Sequence, residues 1–240
     1  MKGIWRRKMQ KAKIARILGL IGIIVVIFAA IAASFNQKVP NSEKVWDKDT
    51  TIGNIDAKNY FIIYSDIVCP YCVAFENAMI THKDDFMKYI EENDVLVEIR
   101  VSDFLYEYGQ SNPVASQYSA EGVFCAKNEG KFWDYYDHII TTVWDDYFMA
   151  KGKSALSALD KQGEDYWISL GKEVGLSEDF EKCVKNDEML PAIQETAAKT
   201  VKQIDGMPYF KFNSYIASGF DMSWGWDYVK MYFDSGLKSK

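Results

Sequence analysis

The residues of this chain best suited to chemistry are Cys69-Pro70-Tyr71-Cys72. Two cysteines three residues apart lie one turn from each other on a helix, close enough to close a disulfide. Proline suits the first helical turn, because the N–H it lacks has no helical partner there. Cys69 then falls at the helix N-terminus, where unpaired amides and the dipole favour a thiolate. The thiolate is the nucleophile of thiol–disulfide exchange. Cys69 is therefore the expected attacking and attacked sulfur, and Cys72, set deeper, the resolving one. Zinc is one alternative for such a pair. Structural zinc needs four ligands, commonly from two paired motifs. Cys125, Cys183, His82 and His138 stand singly and form no such motif. A purely structural disulfide is the other alternative. Asp66, three residues before Cys69, is read either as tuning the thiols and relaying protons or as a strand-end hydrogen-bonding residue. A buried carboxylate there would raise a neighbouring thiol's pKa.

The elements around the pair must hold it at a strand end. Asn59–Tyr64 has the length and composition of a buried strand. Cys72, Phe75, Met79, Phe86 and Ile90 then recur at helical spacing, predicting one helix that ends near Asn93. Val95–Val101 is a second strand candidate. Strand, helix and strand in this order make a βαβ unit with parallel strands. From about Pro113 to Lys202 the pattern is helical, broken by Gly130, Gly152, Gly163, Gly171 and Gly175. Its aromatic residues read as core rather than as a cofactor box. A helix is expected from near Met189 to about Gln203. Tyr209–Phe212, Asn213-Ser214 and Tyr215–Ala217 predict a β-hairpin. A last helix is expected over Trp224–Leu237, with Trp224, Tyr228, Met231 and Tyr232 on one face. Trp224 and Trp226 read as core packing. The simplest assembly puts all strands in one sheet and makes the helical block, about 105–203, an insertion.

Three stretches together resemble the DsbA-like thioredoxin-fold proteins. Phe61–Cys72 is similar to their active-site strand and turn. Cys125–Asp137 is similar to a helix pair of their inserted helical domain. Gly206-Met207-Pro208-Tyr209-Phe210 is similar to their cis-proline loop, with Asn213 and Gly219 in the hairpin that follows. The resemblance covers most of residues 50–237. It implies an α/β thioredoxin fold with a helical insertion, and a protein disulfide oxidoreductase working through Cys69 and Cys72. Pro70, Tyr71, Met207 and Pro208 would support the site. It implies that the Met207–Pro208 bond is cis and faces Cys69, and that the backbone just before the proline pairs with an extended client by strand addition. No cofactor is implied. The implied partners are reduced or unfolded exported proteins and a quinone-linked membrane reoxidant (DsbB-like or VKOR-like). Leftover thiols in an oxidising compartment often pair, and some members of the family carry a second disulfide in this region. A structural Cys125–Cys183 bridge is the expectation, with two buried free thiols as the alternative. One departure matters. Pro-Tyr stands where the strongest oxidants of the family have Pro-His, and a histidine there stabilises the thiolate. A reductase or isomerase of the same fold is therefore an open alternative, as is a tethered peptide-binding module without redox turnover.

Charge and hydropathy suggest where the domain works. Residues 1–16 carry seven basic side chains and no acidic one, whereas the rest carries 21 basic against 34 acidic residues, formally −13. An acidic body argues against nucleic acid as a partner. Ile17–Phe35 holds no charged residue. As a helix its 19 residues would span roughly 28 Å, about one bilayer core. The expected arrangement is a single-pass anchor at 17–35 in the cell membrane, with a basic cytoplasmic N-terminus and the domain outside. A cleaved signal, cut near Ala30, Ala32 or Ala33, is the rival reading. Residues 36–50, polar and containing Pro40, read as a linker to a domain over 51–240. With 48% apolar residues the domain can bury a core unaided, and four cysteines are too few for a disulfide scaffold.

Overall fold

The computed structural model describes residues 44–239 except 110, 111 and 205. The basic segment and the expected anchor at 17–35 lie outside the described residues. Among the described residues, no helix is long and apolar enough to cross a membrane.

Five strands form one sheet in the order β1-β3-β2-β4-β5. They are β1 (Thr51–Gly53), β2 (Asn59–Ser65), β3 (Val95–Val101), β4 (Tyr209–Phe212) and β5 (Tyr215–Ser218). β2 and β3 run parallel, as a strand-helix-strand unit requires, and the other pairings are antiparallel. Helices α1 (Pro70–Thr81) and α2 (Lys83–Glu92) join β2 to β3. This corrects the single helix expected to Asn93. The break falls at His82, with φ −112° and ψ 39°. Neither glycine nor proline marks it. Packing favours it, because α2 lays Phe86 and Tyr89 against Trp226 and Phe233.

Between β3 and β4 the chain is helical almost throughout: α3 (Phe104–Tyr108), α4 (Val114–Asn128), α5 (Phe132–Val143), α6 (Ala155–Leu159), α7 (Glu164–Glu173), α8 (Glu178–Lys185) and α9 (Leu190–Thr200). The last is shorter than expected, and α5 continues into a π-helical turn at Trp144–Met149. A disulfide joins Cys125 of α4 to Cys183 of α8. α10 (Trp226–Lys238) closes the fold. Its buried side chains are Val229, Tyr232 and Phe233. Tyr228 and Met231, expected on one face with Tyr232, are exposed while Tyr232 is buried. The helix starts two residues late because Trp224 stays outside it and stacks on Tyr228, with ring centroids 4.6 Å apart. Gly236 is needed there, since a Cβ would come within 2.0 Å of the Phe212 ring.

The sheet is buried on both faces. On the first, Phe61, Ile63, Val97, Ile99, Phe210 and Phe212 pack against α1, α2, α5 and α10. Phe61 alone meets Phe75, Phe210, Phe212 and Phe233. On the second face Tyr60, Ile62, Tyr64 and Leu96 meet Phe104, Ile204 and Val45. Glu98 and Arg100 also lie there, fully buried, with Nε donating to the carboxylate at 2.8 Å. Residues 44–50 fall within the stretch read as linker, yet they are docked on this face. The Trp46 and Asp47 amides donate to Glu98 at 2.7 and 2.9 Å, and Arg100 donates to the Lys44 carbonyl and lies over the Trp46 ring.

Candidate active site

The pair of thiols sits where β2 hands over to α1. Cys69 is the N-cap of α1, with extended backbone, and Pro70 opens the helix. Both cysteines are buried and reduced. Tyr71, between them, is 47% exposed, so the site reaches the surface at this residue. The Met207–Pro208 peptide bond is cis. It faces the thiols, and the Cys69 Sγ donates to the Met207 carbonyl across 3.9 Å. The next turn is held from behind, because the Gly219 N–H donates to the Pro208 carbonyl at 2.9 Å. Cys69, Cys72, Pro70, Tyr71, Met207 and Pro208 are thus brought together from two distant stretches of sequence.

Cys72 lies fully inside, on the inner face of α1. Burial pushes its thiol well above the ordinary cysteine value, and the adjacent Cys69 sulfur and the Glu76 carboxyl push it further. Cys72 is thus held as a neutral thiol until exchange frees it.

Asp66 is buried. Its carboxylate accepts from the Val68 amide at 3.0 Å, the Leu105 amide at 2.8 Å and the Ser116 hydroxyl at 2.6 Å. It ties the β2–α1 turn to the helical block. Burial raises its pKa to about 6, and these three donors hold it from rising further. Cys125 and Cys183 lie in the helical block and are bonded to each other. With Glu121 they are the one group among the described residues with metal-ligating spacing, and the disulfide already occupies both sulfurs.

Glu76 was not singled out from the sequence. It sits four residues after Cys72, on the same face of α1, and is fully buried. Neither carboxyl oxygen makes a hydrogen bond of normal geometry, although the Ser65 and Tyr136 hydroxyls stand near enough to moderate its charge. Burial raises its pKa to about 8. The signal was available: Cys72, Phe75 and Met79 define the inner face, and residue 76 falls among them at helical spacing.

The sequence profile of the thioredoxin family matches residues 46–219. No curated protein matches the chain. Among solved structures, a thioredoxin-like oxidoreductase from Silicibacter pomeroyi DSS-3 is 18% identical, with TM-score 0.54, over 80% of this chain and 94% of its own. Oxidised BdbD from Bacillus subtilis is 18% identical, with TM-score 0.54, over 79% and 92%. MdbA, a thiol–disulfide oxidoreductase from Corynebacterium diphtheriae, is 15% identical, with TM-score 0.54, over 82% and 99%. The profile match places the chain in the thioredoxin family, here with a helical block between β3 and β4 and a reduced cysteine pair at the start of α1.

Proposed function

We propose that the protein is a membrane-anchored thiol–disulfide oxidase acting on exported proteins through Cys69 and Cys72. The observation that carries the reading is the Cys69 sulfur, set at the start of α1 and against the Met207 carbonyl. In the oxidised enzyme a client thiolate attacks the Cys69 sulfur. A mixed disulfide forms, the Cys69–Cys72 bond breaks, and the electron pair leaves on Cys72, which takes a proton. A second client thiolate attacks the client sulfur and expels Cys69 as a thiolate. The unpaired amides of the first helical turn favour negative charge at that point. The client gains a disulfide, and the enzyme holds two electrons that a membrane reoxidant removes. The backbone at Met207 is the place where an extended client segment pairs, with little sequence demand. The disulfide chemistry of the similar MdbA supports the reaction class. The basic segment and apolar stretch at 2–35 support an anchor with the domain outside.

The reductive direction, as reductase or isomerase, is the second reading, and the absence of a histidine between the cysteines favours it. Equilibration of the full chain with glutathione buffers separates the two. A potential above about −180 mV supports the oxidase, and one below about −240 mV overturns it in favour of a reductase. Cys72→Ser should trap mixed disulfides between Cys69 and exported proteins. If this variant traps none, the redox reading fails and peptide binding alone is left. Protease accessibility of the domain in intact cells tests the anchor's orientation.

A further inference from the structure

Glu121 of α4 lies one helical turn before Cys125, on the side that meets Cys183 of α8. A carboxylate oxygen and the two sulfurs all lie within 4.8 Å of one another, and all three residues are buried. Oε1 stands 3.7 Å from the Cys125 sulfur and accepts from the Met189 amide at 2.7 Å, which fixes the orientation of the carboxylate. Oε2 has no hydrogen-bond partner, although the residue is only 1% exposed. Asp187 and Glu188, between α8 and α9, add negative charge around it. Buried polar atoms are normally paired, and a carboxylate oxygen left alone beside two sulfurs calls for an explanation. The sulfurs, while bonded to each other, need nothing from it.

We propose that, before the Cys125–Cys183 bond closes, the two thiolates and the Glu121 carboxylate hold one zinc ion. Around a tetrahedral zinc, sulfur and oxygen ligands stand about 3.6 Å apart. The Cys125–Glu121 separation is already close to this, and the sulfurs need only part to a similar distance when no bond joins them. Two thiolates select a soft or borderline cation, and a carboxylate as third ligand suits zinc better than monovalent copper. The Met189 amide, on the carboxylate, and the Asn128 side-chain amide, 4.0 Å from the Cys183 sulfur, are the groups that orient the ligands. The ion ties α4 to α8 while the chain is still reduced. Closing the bond releases it. The two thiolates give up two electrons and join, a protein disulfide accepts the electrons with two protons and becomes a dithiol, and zinc leaves as the divalent ion. The site lies apart from Cys69 and Cys72, and the inference holds for either direction of electron flow there.

The test uses the full chain carrying Cys69→Ser and Cys72→Ser, which leaves Cys125 and Cys183 as its only thiols. Reduced with a phosphine and kept free of oxygen, it should take up one zinc ion per chain in competition with a chromophoric chelator. Cobalt in place of zinc should give thiolate-to-metal absorption and the bands of a tetrahedral site. Zinc should raise the unfolding temperature of the reduced chain and leave that of the oxidised chain unchanged. Adding a protein disulfide as oxidant should release the ion as the bond forms. Glu121→Gln keeps the acceptor for the Met189 amide and should weaken binding about tenfold or more. Undiminished affinity in Glu121→Gln means that the thiols bind without the carboxylate, and overturns the site. Lack of stoichiometric uptake, or cobalt bands without thiolate absorption, overturns it as well. Where reduction unfolds the chain, zinc must restore the near-ultraviolet circular dichroism of the oxidised fold, and failure to do so overturns the proposal too.

Discussion

On one face of the sheet Glu98 and Arg100 are buried with every polar group answered. The carboxylate takes the Trp46 and Asp47 amides, the Tyr60 hydroxyl and the Arg100 guanidinium, and the guanidinium also reaches Tyr64 and the Lys44 carbonyl. On the other face Glu76, Tyr136 and Ser65 are buried equally deeply and have only one another, close by but without hydrogen bonds of normal geometry. The first cluster is built as structure: it fixes the segment at 44–47 onto the domain. The second costs stability, since a buried polar group whose hydrogen bonds are poorly made does not recover the loss of its water. Asp66 and Ser65 repeat the contrast between neighbours, for Asp66 has three well-formed donors, whereas the Ser65 hydroxyl stands beside the Glu76 carboxyl without a bond of normal geometry.

The largest expected effect comes from breaking the satisfied cluster. Arg100→Met leaves Glu98 buried without its cation and should cost about 3–5 kcal/mol in denaturant unfolding. Adding Glu98→Leu should restore much of that loss, and a double variant no better than the single would mean the pair is not coupled. Glu76→Met should act in the opposite sense and stabilise the domain by about 2 kcal/mol near pH 7. The gain should depend on pH. Glu76 is raised from 4.5 to about 8 in the folded state, so between these values the native protein holds a proton that the unfolded chain releases. Its favourable contribution is fully present at low pH and is lost as pH rises towards 8. The variant lacks this dependence, and its advantage over wild type should widen from about pH 5 to pH 8. A constant difference would show that Glu76 is not held neutral. Ser116→Ala is the mildest test. Asp66 keeps two amide donors, so the loss should be about 1 kcal/mol in the same unfolding assay. A far larger loss would place Asp66 among the strained groups instead.

The cysteine pair, the strand–helix–strand unit and the hairpin were legible because each is local. Pro70 and the thiol spacing define a helix start, and Asn213-Ser214 between alternating runs defines a turn. Asn213 sits at φ 53° there and donates towards the Gly236 carbonyl at 3.3 Å. Three other features depend on residues far apart in the chain. β1 and the docked segment exist because of Glu98 and the β3 edge, some fifty residues later. The break at His82 follows from Trp226 and Phe233 in the last helix. Glu76 looks like a surface carboxylate until α5, with Tyr136, closes over it. Polar residues at inner positions carry the message that hydropathy averages away.

The ion pair in β3 also has a consequence for how the sheet finds its pairing. The strand reads Val-Leu-Val-Glu-Ile-Arg-Val and is buried on both sides. Apolar content alone gives such a strand little reason to prefer one alignment over its neighbour, yet a slip of one residue would turn every side chain to the opposite face. Glu98 and Arg100 make that slip expensive. It would carry two charges into the layer that holds Phe61 and Phe75, away from the amides and hydroxyls that receive them. A charge pair inside an otherwise greasy strand thus acts as a proofreading mark, fixing which way the strand is read.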